Sequence, residues 1–143
     1  MKRVFLTFSF LSAIICIASA QTSAQTILGI WTNENNTSRI EFYQSGNSYS
    51  AKLVWLQESN DKKGNPKLDK NNPDEKLRSR KVVGSIIIWG LNFQSNKWTA
   101  GTIYNPEKGV MADCVITMPD ANTLKMKASK GVFSVVKIWK RLK

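Results

Sequence analysis

From residue 27 to the end of the chain, apolar and polar positions alternate in short runs broken by clusters of Gly, Pro, Asn and Asp. "ILGIWTN" gives way to "ENNT", then to "SRIEFYQ", where Ile40 and Phe42 alternate with Arg39 and Glu41. "SGN" turns the chain into "SYSAKLVWLQ", which puts Tyr49, Ala51, Leu53 and Trp55 on one face. Further on come "SIIIWGLNF", "WTAGTIY", "VMADCVITM", "TLKMKAS" and "VFSVVKIWKRL", separated by "QSNK", "NPEKG", "PDAN" and "KG". Period-two alternation bounded by such clusters predicts strands joined by tight turns. Eight strands with short connections predict antiparallel neighbours in chain order. The fold class is therefore all-β: an eight-stranded antiparallel up-and-down barrel, since closure removes exposed edges. A pair of stacked sheets would need longer crossovers.

One passage breaks the rhythm. "NPKLDKNNPDEKLRSRKVVG", residues 65–84, is polar, charged and too long for a hairpin turn. Asn72 suits a helix N-cap, Pro73 the first helical position and Glu75 the third, which predicts one short helix over "PDEKLRSR" in the loop after the third strand. Read as a calcium loop from Asp69, the passage places Pro73 and Asp74 where an EF-hand needs an oxygen ligand and a glycine. Asp69, Asn71 and Asp74 suit another cation geometry in principle, but turns and caps use the same residues far more often, and no metal site is assigned.

The N-terminal residues change where this barrel is placed. Lys2 and Arg3 precede an apolar run from Val4 to Ile17, and Ala18-Ser19-Ala20 forms an A-x-A cleavage site before Gln21. This is the pattern of a secretory signal peptide, and the run is short for a membrane span. Ile15 before Cys16 argues against acylation there. The expectation is a leader over residues 1–20, a flexible tail over 21–26 and a single barrel domain over 27–143. The product is exported, periplasmic or extracellular, and has no transmembrane segment.

Composition then narrows the chemistry. Loss of Cys16 leaves Cys114 alone, without an internal disulfide partner, and "ADCVITM" reads as a buried thiol. With no histidine anywhere, Ser-His-Asp and Cys-His pairs and His-ligated zinc are excluded, and so is a thiolate zinc site. The expectation is a protein that is not an enzyme and takes no cofactor; carboxylates such as Asp69 and Asp74 are the remaining enzymatic alternative. The formal charge of +11 becomes +9 once Lys2 and Arg3 leave. Lys125, Lys127, Lys130, Lys137, Lys140, Arg141 and Lys143 crowd residues 125–143 with no acid among them. The cluster reads either as a solvated basic face or as an attachment site for an anionic envelope surface. Nucleic acid is not expected as a partner of an exported chain.

Gly29-Ile30-Trp31 on the first strand looks like the G-x-W element of lipocalin-like barrels, and Trp139-Lys140-Arg141 on the last supplies the basic group that such folds lay across that tryptophan. In the middle, Trp55, Gly64, Pro66, Asp69, Asn72, Pro73, Leu77, Arg78, Arg80, Gly84, Gly101, Ile103, Tyr104, Pro106 and Gly109 match a V-W strand, G-x-P-x-x-D, N-P-x-x-x-L-R-x-R and G-x-I-Y-D-P-x-x-G. In these motifs the chain resembles the bacterial exported family catalogued as domain of unknown function 2147, over essentially all of residues 27–143. It departs at Asn105, where the family usually has Asp, and at Val110-Met111, where a lysine and a nearby tyrosine are common. The resemblance implies a lipocalin-like barrel and no established activity.

The leading functional expectation is a module that binds a small apolar or amphipathic ligand, an anionic one included. Trp55, Trp98 and Tyr104 have the parity to line an interior or to fill it. Arg78 and Arg80 would grip a carboxylate or phosphate at the mouth, or pair with Asp69 or Asp74 to pin the loop. Gly29, Trp31, Asp69, Asn72, Pro73, Gly84, Trp139 and Arg141 are read as structural. The alternative is an envelope-associated interaction protein with a filled barrel and a basic surface.

Overall fold

A computed structural model describes residues 22–143. The leader and its cleavage site fall outside the described residues. Eight strands close in chain order into one antiparallel barrel: β1 (Gly29–Asn33), β2 (Ser38–Ser45), β3 (Ser48–Leu56), β4 (Ile86–Gln94), β5 (Lys97–Asn105), β6 (Val110–Asp120), β7 (Thr123–Lys130) and β8 (Phe133–Arg141). Each strand pairs with the next, and β8 returns to β1 through Trp31 opposite Arg141. The meander read from the alternation is the one that forms.

Up-and-down connectivity sorts the connections to two ends. One end carries the turns after β2, β4 and β6, the start of β1 and the finish of β8. It is plugged by a 3-10 turn, Ala24–Ile27. Ile27 is fully buried there, and its carbonyl accepts the Trp31 indole N–H at 2.8 Å. Residues 24–26, expected as part of an open tail, are thus held in a plug, because Arg141 also donates to the Thr26 and Leu28 carbonyls. The other end carries the turns after β1, β5 and β7 and the long 57–85 loop.

The interior is occupied by side chains. Trp31, Ile40, Phe42, Ile88, Leu91, Trp98, Cys114, Ile116 and Leu124 are all inaccessible to solvent, with Tyr49, Leu53, Met126 and Trp139 nearly so. Cys114 is buried as the sequence suggests, and burial pushes its thiol pKa up to about 12.

Register shifts fall in β3, β4, β5 and β6, and those in β3 and β5 move aromatic residues that the sequence placed on the inner face. Arg39 lies opposite Trp55 while Ile40 lies opposite Leu53, so β3 carries an extra residue between them. The bulge takes Trp55 off the face of Tyr49, Ala51 and Leu53 and sets it beside Arg39, whose guanidinium stacks 4.5 Å from the ring centre. In β5, Trp98 pairs with Ile116 but Gly101 with Cys114, and Ala100 takes φ +58° at this second bulge. Trp98 therefore faces the core and Tyr104 faces outward, although their numbers share parity. Each bulge shifts every later side chain to the opposite face.

The expected helix is a single 3-10 turn, Glu75–Leu77, and Asp74 is its cap, accepting from the Lys76 N–H at 3.0 Å. Asn72 and Pro73 precede it. Asn72 Oδ1 accepts from the Asp74 N–H, one position ahead of the turn's first residue, so Asn72 leads into the cap rather than forming it, while its amide donates to Asp69.

Candidate functional site

The 57–85 loop folds on itself and then onto the outside of the barrel. Leu68 bridges to Lys81, Asp69 N–H donates to the Arg80 carbonyl, and Val82 N–H donates to the Lys67 carbonyl, which forms a small antiparallel ladder. Val82 is buried against the core and Gly84 N–H reaches the Leu53 carbonyl, so the loop returns tied to β3.

That ladder delivers Asp69, fully buried, to the centre of a polar cluster. Tyr104 from β5 donates its hydroxyl to Asp69 Oδ1 at 2.6 Å. The Asn72 amide donates to Oδ2 at 2.7 Å, and Arg80 reaches the same oxygen through Nε at 2.9 Å and Nη2 at 2.8 Å. The Arg80 guanidinium also lies 5.9 Å from the Tyr104 ring centre. Three groups that the sequence scatters over residues 72 to 104 thus converge on one carboxylate. Arg78 lies apart, with Nε on the Asn72 carbonyl at 2.8 Å and Nη1 on Glu75 at 3.2 Å, exposed at the surface.

The loop is also clamped to the β5–β6 turn. Asn71 donates its amide to the Glu107 carbonyl at 2.7 Å. Gly109, at φ +65°, lies so close to the Asn71 carbonyl that any Cβ would collide with it. Asn105 fills its departure from the family pattern well, because its Oδ1 accepts from the Glu107 and Lys108 N–H groups as an aspartate would.

Burial alone would raise the Asp69 pKa, but the hydrogen bonds from Tyr104, Asn72 and Arg80, with the charge of Arg80, hold it below the ordinary 3.8. Burial, then the bond to Asp69 and its charge, push Tyr104 up to about 12. Both shifts are stability statements. A depressed carboxylate stabilises the fold above its unfolded pKa and loses that contribution as pH falls through its folded value. A raised phenol stabilises it below 10 and loses that contribution as pH rises towards 12. Denaturant midpoints should therefore stay level at neutral pH, fall below about pH 4 and fall again above about pH 10. In Tyr104→Phe the alkaline fall should be smaller; an alkaline limb identical to that of the parent would exclude Tyr104 as its source.

The residues proposed from sequence to bind ligand do not converge. Trp98 is inside, against Phe93 at 4.9 Å between ring centres; Tyr104 and Arg80 belong to the loop anchor; Arg78 is at the loop surface; Trp55 lies outside under Arg39. No one ligand could touch all five. Asp69, Asn71 and Asp74 also diverge, towards Tyr104, Glu107 and the Lys76 N–H respectively. Two open concavities lie on the outside, one beside Asp61, Pro66 and Lys70, the other over Val115, Lys127 and Val136. Sequence reasoning missed Arg39 and Glu107 and weighed Asn71 only as a cation ligand, because their partners are set by bulge and turn geometry.

At the plugged end, Arg141 stacks 4.2 Å from the Trp31 ring centre and donates to the Leu28 carbonyl at 2.8 Å and to that of Ala121 at 2.9 Å. Gly29, at φ +110°, leaves room for this guanidinium, since a Cβ there would come within 3.3 Å of Nη1. A closed eight-strand meander whose first-strand tryptophan lies under a last-strand arginine is a lipocalin-like barrel. The chain belongs to the family described as "Uncharacterized protein conserved in bacteria (DUF2147)", whose model matches residues 29–141. Among solved structures it is similar to the Helicobacter pylori protein HP1028, described as belonging to the lipocalin family. The two share 22% identity over 82% of this chain and 83% of that one, with a TM-score of 0.71. At that identity the likeness shows the fold. No curated protein matches.

Proposed function

We propose that this chain is an exported, non-enzymatic binding barrel that works through its outer surface. The observation that carries the reading is the filled interior: Trp31, Phe42, Trp98, Ile116 and Leu124 occupy the space where a carrier would hold its cargo. The buried carboxylate, Asp69, is consumed by four donor contacts from Tyr104, Asn72 and Arg80, which leaves it to fix the loop. The leader-like residues 1–20 support export, and the basic C-terminal strands support an anionic partner.

A second reading, a small amphipathic ligand held inside, is favoured by one observation. The indole N–H groups of Trp98 and Trp139 are buried without a protein acceptor, and such groups ordinarily find one. Native mass spectrometry of protein purified from its own host decides between the two. The expected spectrum is that of residues 21–143 with no retained small molecule. A stoichiometric ligand that leaves when Trp98 is replaced by phenylalanine would overturn the filled-barrel reading, and a lipid adduct on Cys16 would overturn the cleavage.

A further inference from the structure

The last hairpin outruns the barrel that it closes. β8 spans Phe133–Arg141, yet β1 pairs with it only at Trp139, Lys140 and Arg141. From Phe133 to Ile138 its strand neighbour is β7 alone. The direction of the unpaired groups follows from the bonds at the strand's far end. Arg141 N–H goes to the Asn122 carbonyl on the β7 side, and Leu142 N–H goes to the Ile30 carbonyl on the β1 side. Backbone groups alternate along a strand, so Ser134, Val136 and Ile138 direct N–H and C=O towards the β1 side. β1 ends at Asn33, and among the described residues no strand lies there.

The side chains on this edge are unusually apolar for solvent. Val132 at the turn is 94% exposed, Phe133 79%, Val136 55% and Val135 50%. Phe133 and Val135 share the inward side with Trp139, while Val136 faces outward. Folded proteins normally blunt such an edge, because it templates pairing with another chain. Across β7, Lys127 lies opposite Val136 and Lys130 opposite Phe133, and Lys137 stands in the edge itself, without an acid anywhere in residues 125–143.

We propose that the β8 edge from Phe133 to Ile138 docks an extended polypeptide segment of alternating acidic and apolar side chains, which adds a strand to the sheet. Such a segment satisfies the free N–H and C=O groups of Ser134 and Val136, covers Phe133 and Val135, and neutralises the lysines. A second copy of this chain would set Lys137 and its neighbours against like charge. A bilayer would leave the same peptide groups without partners in hydrocarbon. The proposal rests on the reading that the outer surface is the working one, and names its partner class.

The test uses the purified protein and a capped eight-residue peptide alternating valine and glutamate. Comparison probes are its valine–lysine counterpart, a version N-methylated at alternate residues, and vesicles of anionic phospholipid. The glutamate peptide should bind and slow amide hydrogen exchange at Ser134 and Val136, whereas the lysine and N-methylated peptides should bind about tenfold more weakly or less. Val136→Pro removes an outward N–H that the β7–β8 ladder does not use, so melting should hold while binding drops about tenfold. Lys127→Glu combined with Lys137→Glu should reverse the preference in favour of the lysine peptide, which guards against a proline variant that fails to fold. Equal binding by parent and charge-reversed protein would overturn the proposal, as would protection of these amides by vesicles or by self-association but not by peptide. A ligand found inside the barrel would overturn the filled-barrel reading and leave these edge measurements standing, so the two failures are distinguishable.

Discussion

Replacing Asp69 with alanine should destabilise the protein by about 3–5 kcal/mol, the largest loss expected from any single polar residue here. The substitution leaves the Arg80 guanidinium, the Asn72 amide and the Tyr104 hydroxyl facing one another without their common acceptor. Removing one partner of a buried charged pair costs more than the pair contributes, because the survivor keeps its desolvation penalty. Asp69→Asn keeps the volume and one carbonyl acceptor, so it should recover part of the loss. The 57–85 loop should become sensitive to protease in Asp69→Ala before the barrel unfolds, since the Asn71–Glu107 clamp would remain as its main tie to the β5–β6 turn. Urea titration with limited proteolysis checks both statements. A loss below 1 kcal/mol with a resistant loop would mean that Val82 and the backbone ladder hold the loop without the carboxylate.

Arg141→Ala should come second, at about 3 kcal/mol. The guanidinium donates to the carbonyls of Thr26, Leu28 and Ala121 and stacks on Trp31; charged hydrogen bonds contribute roughly 1.5–3 kcal/mol each where buried, and the stack adds about 1 kcal/mol. Part exposure of the group and rehydration of the carbonyls keep the total well below the sum. The emission of Trp31 should change as its upper face opens to water. Lysine at position 141 should rescue only in part, because an ammonium cannot reach three carbonyls and lie flat on an indole. Lys143→Ala, at the exposed end of the chain, is the control and should be silent. Equal behaviour of Arg141→Ala and Lys143→Ala would remove the physical basis of barrel closure at this end.

Strand order and closure were legible in the sequence because their signals are local. Alternation in "SRIEFYQ" and "TLKMKAS", and turn residues such as Asn105-Pro106 through Gly109, act within a few positions. The pairing of Trp31 with Arg141 was legible for another reason: a meander of eight must join its ends, and these two residues stand near them. The functional faces of Trp55 and Tyr104 were not. Each lies beyond a bulge, and neither Val54 nor Ala100 differs from an ordinary strand residue in a way that announces one. Asn72 shows the same limit from another side. Its position invites a capping role, but its amide answers to Asp69, whose placement depends on the ladder with Arg80 and on a strand far along the chain. The apolar edge at Phe133 and Val135 was hidden too, because "VFSVVKIW" reads as a good strand whether or not a neighbour covers it.

The contacts of Arg141 also set the order in which this protein can assemble. Its guanidinium meets backbone laid down 113 and 115 positions earlier, and the plug over Ile27 depends on that meeting. Until residue 141 has been synthesised, β1 lacks its second neighbour and the Trp31 ring lacks its cover. Topologies that depend on such distant contacts close late and slowly. The seam between β1 and β8 therefore seals last, and until it does the chain is an open sheet rather than a barrel.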